Sequence, residues 1–171
     1  LTIRQIRRSA RGSLEKLSDF LVLCGTIVLV TGTIVTGSGP HSGAESQQTK
    51  EALDAETASM NLSVSDLEVK RLPFDVPDVT RVHGISMILF LLVMLLILLK
   101  IKRDRPTSLP QAQNLLVAII AQAAIGYIQY FSNVPALLVG FHVAGATLVW
   151  ILTLRLRLSL HLPTKDKSPA I

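Results

Sequence analysis

Few side chains in this sequence could bind a metal or move a proton. Its 171 residues hold four histidines and one cysteine. Cys24 is alone within an apolar stretch, so paired-thiol redox chemistry and an intrachain disulfide are both excluded. It reads as a small apolar side chain. His161 follows a basic run near the C-terminus and is given no role. His83 and His142 differ from it: each stands inside a long apolar stretch, His142 within LVGFHVAGATLVW. An ionisable group in such surroundings is costly unless it bonds across to another helix or binds a ligand. His41, in GSGPH, lies just past another apolar stretch. No nucleophile triad, phosphate-binding glycine loop, paired intramembrane carboxylates or zinc-type spacing occurs. Asp19, at one rim, is the one carboxylate inside the apolar stretches away from their opposite edge.

The elements that must carry these residues are legible from hydropathy. Hydrophobic residues make up 49% of the chain and charged ones 17%, and the mean hydropathy is +0.48. The apolar residues fall in four blocks, 19–36, 79–101, 114–131 and 135–154. Each is close to the roughly 20 residues that span a hydrocarbon core. The blocks are continuously apolar, not alternating, which predicts helices and not a barrel. The expected fold is an all-α integral membrane protein, an up-down bundle of four transmembrane helices.

Charge sets the expected orientation. Most of the 17 basic residues flank the spans on one side: Arg4, Arg7, Arg8, Arg11 and Lys16 before the first, Lys100, Lys102, Arg103 and Arg105 between the second and third, and Arg155, Arg157, Lys165 and Lys167 at the end. The connection 37–78 carries most of the acids. Basic flanks stay in the cytoplasm. Both termini are therefore expected inside a cell membrane, with loop 37–78 outside. The organisation is a basic cytoplasmic segment (1–18), a membrane domain (19–160) and a cytoplasmic tail (161–171). The net charge of +5 reports topology, not a nucleic-acid partner. The leading run LTIRQIRRSARGSLEK is too charged for a signal peptide and reads as continuing from a longer chain. The loop's polar centre reads as a surface helix or an irregular segment. Its ends, TGSGPHSG and RLPFDVPD, read as more structured, with Pro73 and Pro77 marking the approach to the second span.

In this topology the second and fourth spans run in the same direction. His83 and His142 then lie roughly 6–11 Å below the same end of their helices, at ~1.5 Å rise per residue. Spans two and four are diagonal neighbours in an up-down bundle. With adjacent axes ~8–10 Å apart, the diagonal is about 12–14 Å. Two inward imidazoles across that gap leave room for one metal atom, and a haem iron with two axial histidines fits. The competing reading is that each histidine hydrogen-bonds a carbonyl or hydroxyl of a neighbouring helix. Small residues surround these positions: Gly140, Ala144, Gly145 and Ala146 near His142, Gly25 and Gly32 with Thr26 and Thr33 on the first span, and Gly126 on the third. They permit close helix packing and equally leave space for a flat macrocycle. Gln122, Gly126 and Gln129 form a polar stripe expected to face the interior as interhelical hydrogen-bonding glue. Arg71 and Arg81 stand at the outer mouth, where haem propionates need cations, and His41 there reads as a propionate donor, a proton relay or a plain loop residue.

Three stretches, in order, resemble one family: TGTIVTGSGPHSG, then RLPFDVPDVTRVHG, then QAAIGYIQYFSNVPALLVGFHVAGATLVW. They are similar to the carboxyl-terminal half of the haem A synthase family, membrane oxidoreductases that convert the C8 methyl of haem O to a formyl group for cytochrome c oxidase. The resemblance covers about residues 14 to 160. It implies that His83 and His142 are the axial ligands of a haem b. It implies that the catalytic residues belong to a first half, with its own histidines, an outer cysteine pair and a glutamate, none of which is found here. The implied partners are the lipid bilayer, haem, that N-terminal half (fused or separate), haem O synthase, and a quinone or other electron acceptor. The loop segment 44–70 is longer than the family connection. Two other functions fit the residues: a stand-alone bis-histidine cytochrome b that transfers electrons, and a haem-free membrane assembly protein.

Overall fold

The computed structural model describes residues 3–38, 72, 74–132 and 135–162, with side chains of the first helix from Gly12 onward. The described residues are all-helical, without strands. Helix α1 spans Ile3–Ser38, α2 Val76–Asp104, α3 Leu109–Phe131 and α4 Ala136–His161. A 3₁₀ turn, Pro106–Ser108, links α2 to α3. All four helices carry a stretch long and apolar enough to cross a membrane. Only 6% to 22% of the residues in those stretches are buried inside the protein. Most of the apolar surface is thus turned outward, the arrangement of a multi-pass membrane protein whose solvent is lipid.

The helices extend past the apolar blocks. At ~1.5 Å per residue, the 26 residues of α4 reach about 39 Å, against a hydrocarbon core of about 30 Å. Basic residues are good helix formers, so the turns before Asp19 and after Leu154 stay helical, and they still pack. Leu14, Leu156 and Leu160 are essentially fully buried. Pro77 lies within the first turn of α2, where its missing N–H costs nothing.

The chain divides into two compact units. The first comprises Leu1–Leu29 and Ser86–Ile171, the second Val30–Ile85. The first contains a core to which all four helices contribute. Leu14, Leu21 and Cys24 come from α1, Phe90, Val93, Met94, Ile97 and Ile101 from α2, Ala112, Leu115 and Ile119 from α3, and Leu156 and Leu160 from α4. On each helix the buried residues recur at three- and four-residue spacing, the one-sided stripe of a packed helix. Gly25 lets this core close: a Cβ there would lie 3.3 Å from Phe90 and 3.4 Å from Trp150. Buried hydroxyls bond to their own helices, Ser18 to the Glu15 carbonyl at 2.7 Å and Thr153 to that of Val149 at 2.8 Å, so they carry no unmet polar cost. The connections α2–α3 and α3–α4 are a few residues long, which forces those pairs to run antiparallel as neighbours.

The second unit contains the end of α1 and the start of α2. Leu72 N–H donates to the Gly37 carbonyl at 3.1 Å, meeting one of the acceptors left open at a helix C-terminus. The Leu72 side chain packs on Gly37, where an added Cβ would be 2.8 Å from it.

Candidate functional site

His83 belongs to the second unit. It lies on the second turn of α2, half-buried, against the C-terminal part of α1. Its Cε1 sits where a Gly32 side chain would be, 3.1 Å from that Cβ position. Its Nδ1 is 3.1 Å from Thr31 Oγ1. The threonine hydroxyl can accept from an Nδ1–H, which puts the ring's lone pair on Nε2, the usual way a second partner prepares an imidazole for a metal. Thr31, to which the sequence reading gave no role, supplies a hydroxyl that meets the histidine. Thr26 instead bonds to the Val22 carbonyl of its own helix at 2.9 Å.

His142 belongs to the first unit. It lies on the second turn of α4, half-buried, against α3. Its Cε1 occupies the space that a Gly126 side chain would take, 3.2 Å from that Cβ position. Gln122, buried on α3 one turn before Gly126, donates from Nε2 to the His142 backbone carbonyl. The same Gln122 lies over Gly145, where an added Cβ would strike its Oε1. The Gln122–Gly126 stripe therefore does face the helix partner, and it clasps α4 at the histidine. Gln129 has its Oε1 buried.

Each span histidine is thus backed by a glycine of the preceding helix: Gly32 for His83, Gly126 for His142. The remaining candidates divide. Arg81 is exposed and pairs with Asp78 at 3.1 Å, one turn earlier on α2. His41 and Arg71 lie outside the described residues, as does the centre of loop 37–78.

Two residues that the sequence reading used only as topology-setting charges pack at the opposite ends of these helices. Arg105, only 8% exposed, donates to the carbonyls of Leu160 at 2.5 Å and Leu162 at 2.9 Å. It caps the C-terminal carbonyls of α4, where a cation also meets the negative end of the helix dipole. Arg157 donates to Asp19 at 2.6 Å, tying α4 to α1. His161 stands by, its Nδ1 3.0 Å from the Arg157 carbonyl and its Nε2 3.5 Å from Asp19. Asp19 at the rim is therefore an ion-pair acceptor.

Among the described residues no three His, Cys, Asp or Glu side chains come together to hold a metal. A bare ion such as zinc needs three or four protein donors, whereas haem iron arrives with four nitrogens of its own and needs two. His83 and His142 are each half-buried, each in a cradle that a Cβ on the preceding helix would fill. No protein-family model, no curated protein and no solved structure matches this chain.

Proposed function

We propose that this chain is the haem-binding half of a haem A synthase-type oxidoreductase of the cell membrane, with His83 and His142 as axial ligands of one haem b. The observation that carries the reading is the matched environment of the two span histidines, each backed by a glycine on the adjacent helix. Thr31 orients the His83 ring through Nδ1, and Gln122 holds the α4 backbone at His142. His83 and His142 would hold the haem, which when bound would supply one-electron transfer. The chain's residues orient the ligands, exclude water with the surrounding apolar turns, and offer Arg81, Arg71 and His41 as candidates for the propionates. Oxidation of the haem O methyl is assigned to the partner half, and both termini of this chain to the cytoplasm.

The test is an absorption spectrum of the detergent-purified protein, oxidised and reduced, with pyridine extraction to identify the haem. The expected result is a six-coordinate haem b, absent in His83→Ala and in His142→Ala and retained in His161→Ala. The Thr31–His83 hydrogen bond at 3.1 Å favours a second reading, a haem-free assembly module in which the histidines only bridge helices. A colourless protein from haem-replete cells would establish that reading instead. A stand-alone cytochrome b would keep the spectrum but gain no haem A formation when the missing half is supplied.

A further inference from the structure

A groove of about 940 Å³ opens between the first part of α1 and the last part of α2, inside the first unit. Its walls are apolar: Leu17 and Phe20 from α1, Leu96 and Leu99 from α2. Phe20, Leu96 and Leu99 are 44%, 53% and 65% exposed, so the walls face the bilayer and not the protein core. At its charged end stand Lys16 and Lys100. Lys100 Nζ donates to Ser13 Oγ at 2.9 Å, which draws the tip of α2's lysine onto α1 beside Gly12. No carboxylate among the described residues lines the groove, and a Cβ at Gly12 would meet nothing within 4 Å, so the approach to the lysines is open.

Both lysines fall where the apolar blocks end, at the level where lipid headgroups meet the acyl region. The pairing is of two cations and a hydroxyl with an apolar channel running from them into the hydrocarbon. That is complementary to one kind of molecule: a phosphate ester with a long acyl tail. We infer that this groove is a binding site for an anionic phospholipid of the leaflet facing the basic segments. The phosphate sits between Lys16, Lys100 and Ser13, and an acyl chain lies along Leu17, Phe20, Leu96 and Leu99. The site stands apart from the histidines and does not depend on haem.

The experiment is native mass spectrometry of the full chain released from detergent micelles doped with phosphatidylglycerol or phosphatidylcholine. The wild type is expected to retain one phosphatidylglycerol in preference to phosphatidylcholine. Lysines near a membrane surface each contribute enough attraction that Lys16→Gln with Lys100→Gln should weaken retention about tenfold or more. The control, Lys102→Gln with Arg103→Gln, removes the same charge outside the groove and should change it less than twofold. Circular dichroism verifies that both variants keep their helices. Equal losses in the two double variants would mean diffuse surface attraction and would overturn the site. Equal retention of the two lipids by the wild type would overturn it as well.

Discussion

Replacing Gly126 by alanine tests whether the His142 ring is pinned where the structure puts it. The new Cβ would lie 3.2 Å from His142 Cε1. Ordinary carbon contacts sit near 3.5–4.0 Å, so the ring must withdraw by about 0.3 Å or more, or α3 and α4 must part. Overpacking of this kind costs roughly 1–3 kcal/mol. Against it stands the gain of about 1 kcal/mol for alanine over glycine in a helix interior. The net change should therefore be near zero to about 2 kcal/mol destabilising. Gly140, two residues before His142 on α4, supplies the comparison, since a Cβ there meets nothing within 4 Å and only the propensity gain remains. Gly32 and Gly84 form the same pair around His83, at 3.1 Å and open space respectively. Unfolding by dodecyl sulfate titration in mixed micelles, followed by circular dichroism, measures each variant. Gly140→Ala is expected to be more stable than Gly126→Ala by about 1–3 kcal/mol, with Gly84→Ala and Gly32→Ala separated likewise. If each pair agrees within about 0.3 kcal/mol, below the resolution of additive comparisons, the rings are not held by the glycines and the cradle argument fails.

Three further outcomes follow from the packing. Arg105→Met removes two short charge-assisted bonds to the last carbonyls of α4 and should cost about 2–4 kcal/mol after the relief of its own burial, whereas exposed Arg103→Gln should change stability little. Equal effects in the same titration would show that Arg105 is not a cap. Gln122→Leu deletes the donor to the His142 carbonyl and should cost about 1 kcal/mol. Gln122→Ala also opens a cavity, so it should cost about 2 kcal/mol or more, and a larger loss for leucine than for alanine would point to overpacking instead. Asp19→Asn breaks a half-exposed pair with Arg157 and should lower stability only slightly, the loss shrinking as salt is raised; a salt-independent loss would mean that the pair is shielded from the solvent ions.

The four spans were legible because lipid-facing helices need to be apolar almost all round, and continuous apolar blocks have no other economical explanation in a chain this charged at its edges. Their ends were less so. Hydropathy marks where the bilayer stops, not where a helix stops, and Leu156 and Leu160 show α4 packing beyond that limit. The polar stripe on α3 could be placed inward from its spacing alone, since a glutamine facing hydrocarbon has no partner. Its target, a backbone carbonyl on α4, could not.

By itself the sequence determined the class of protein, the number of spans and the few side chains able to bind a metal, because composition and one-dimensional spacing encode them directly. The tertiary structure decided which residues meet. It brought Thr31 to His83, set Gly32 and Gly126 behind the two rings, made Arg105 a helix cap, and tied Asp19 to Arg157. Those choices depend on the rotation and axial offset of one helix against another. Packing sets both to within a fraction of a helical turn, and residue spacing along a single chain carries no record of them.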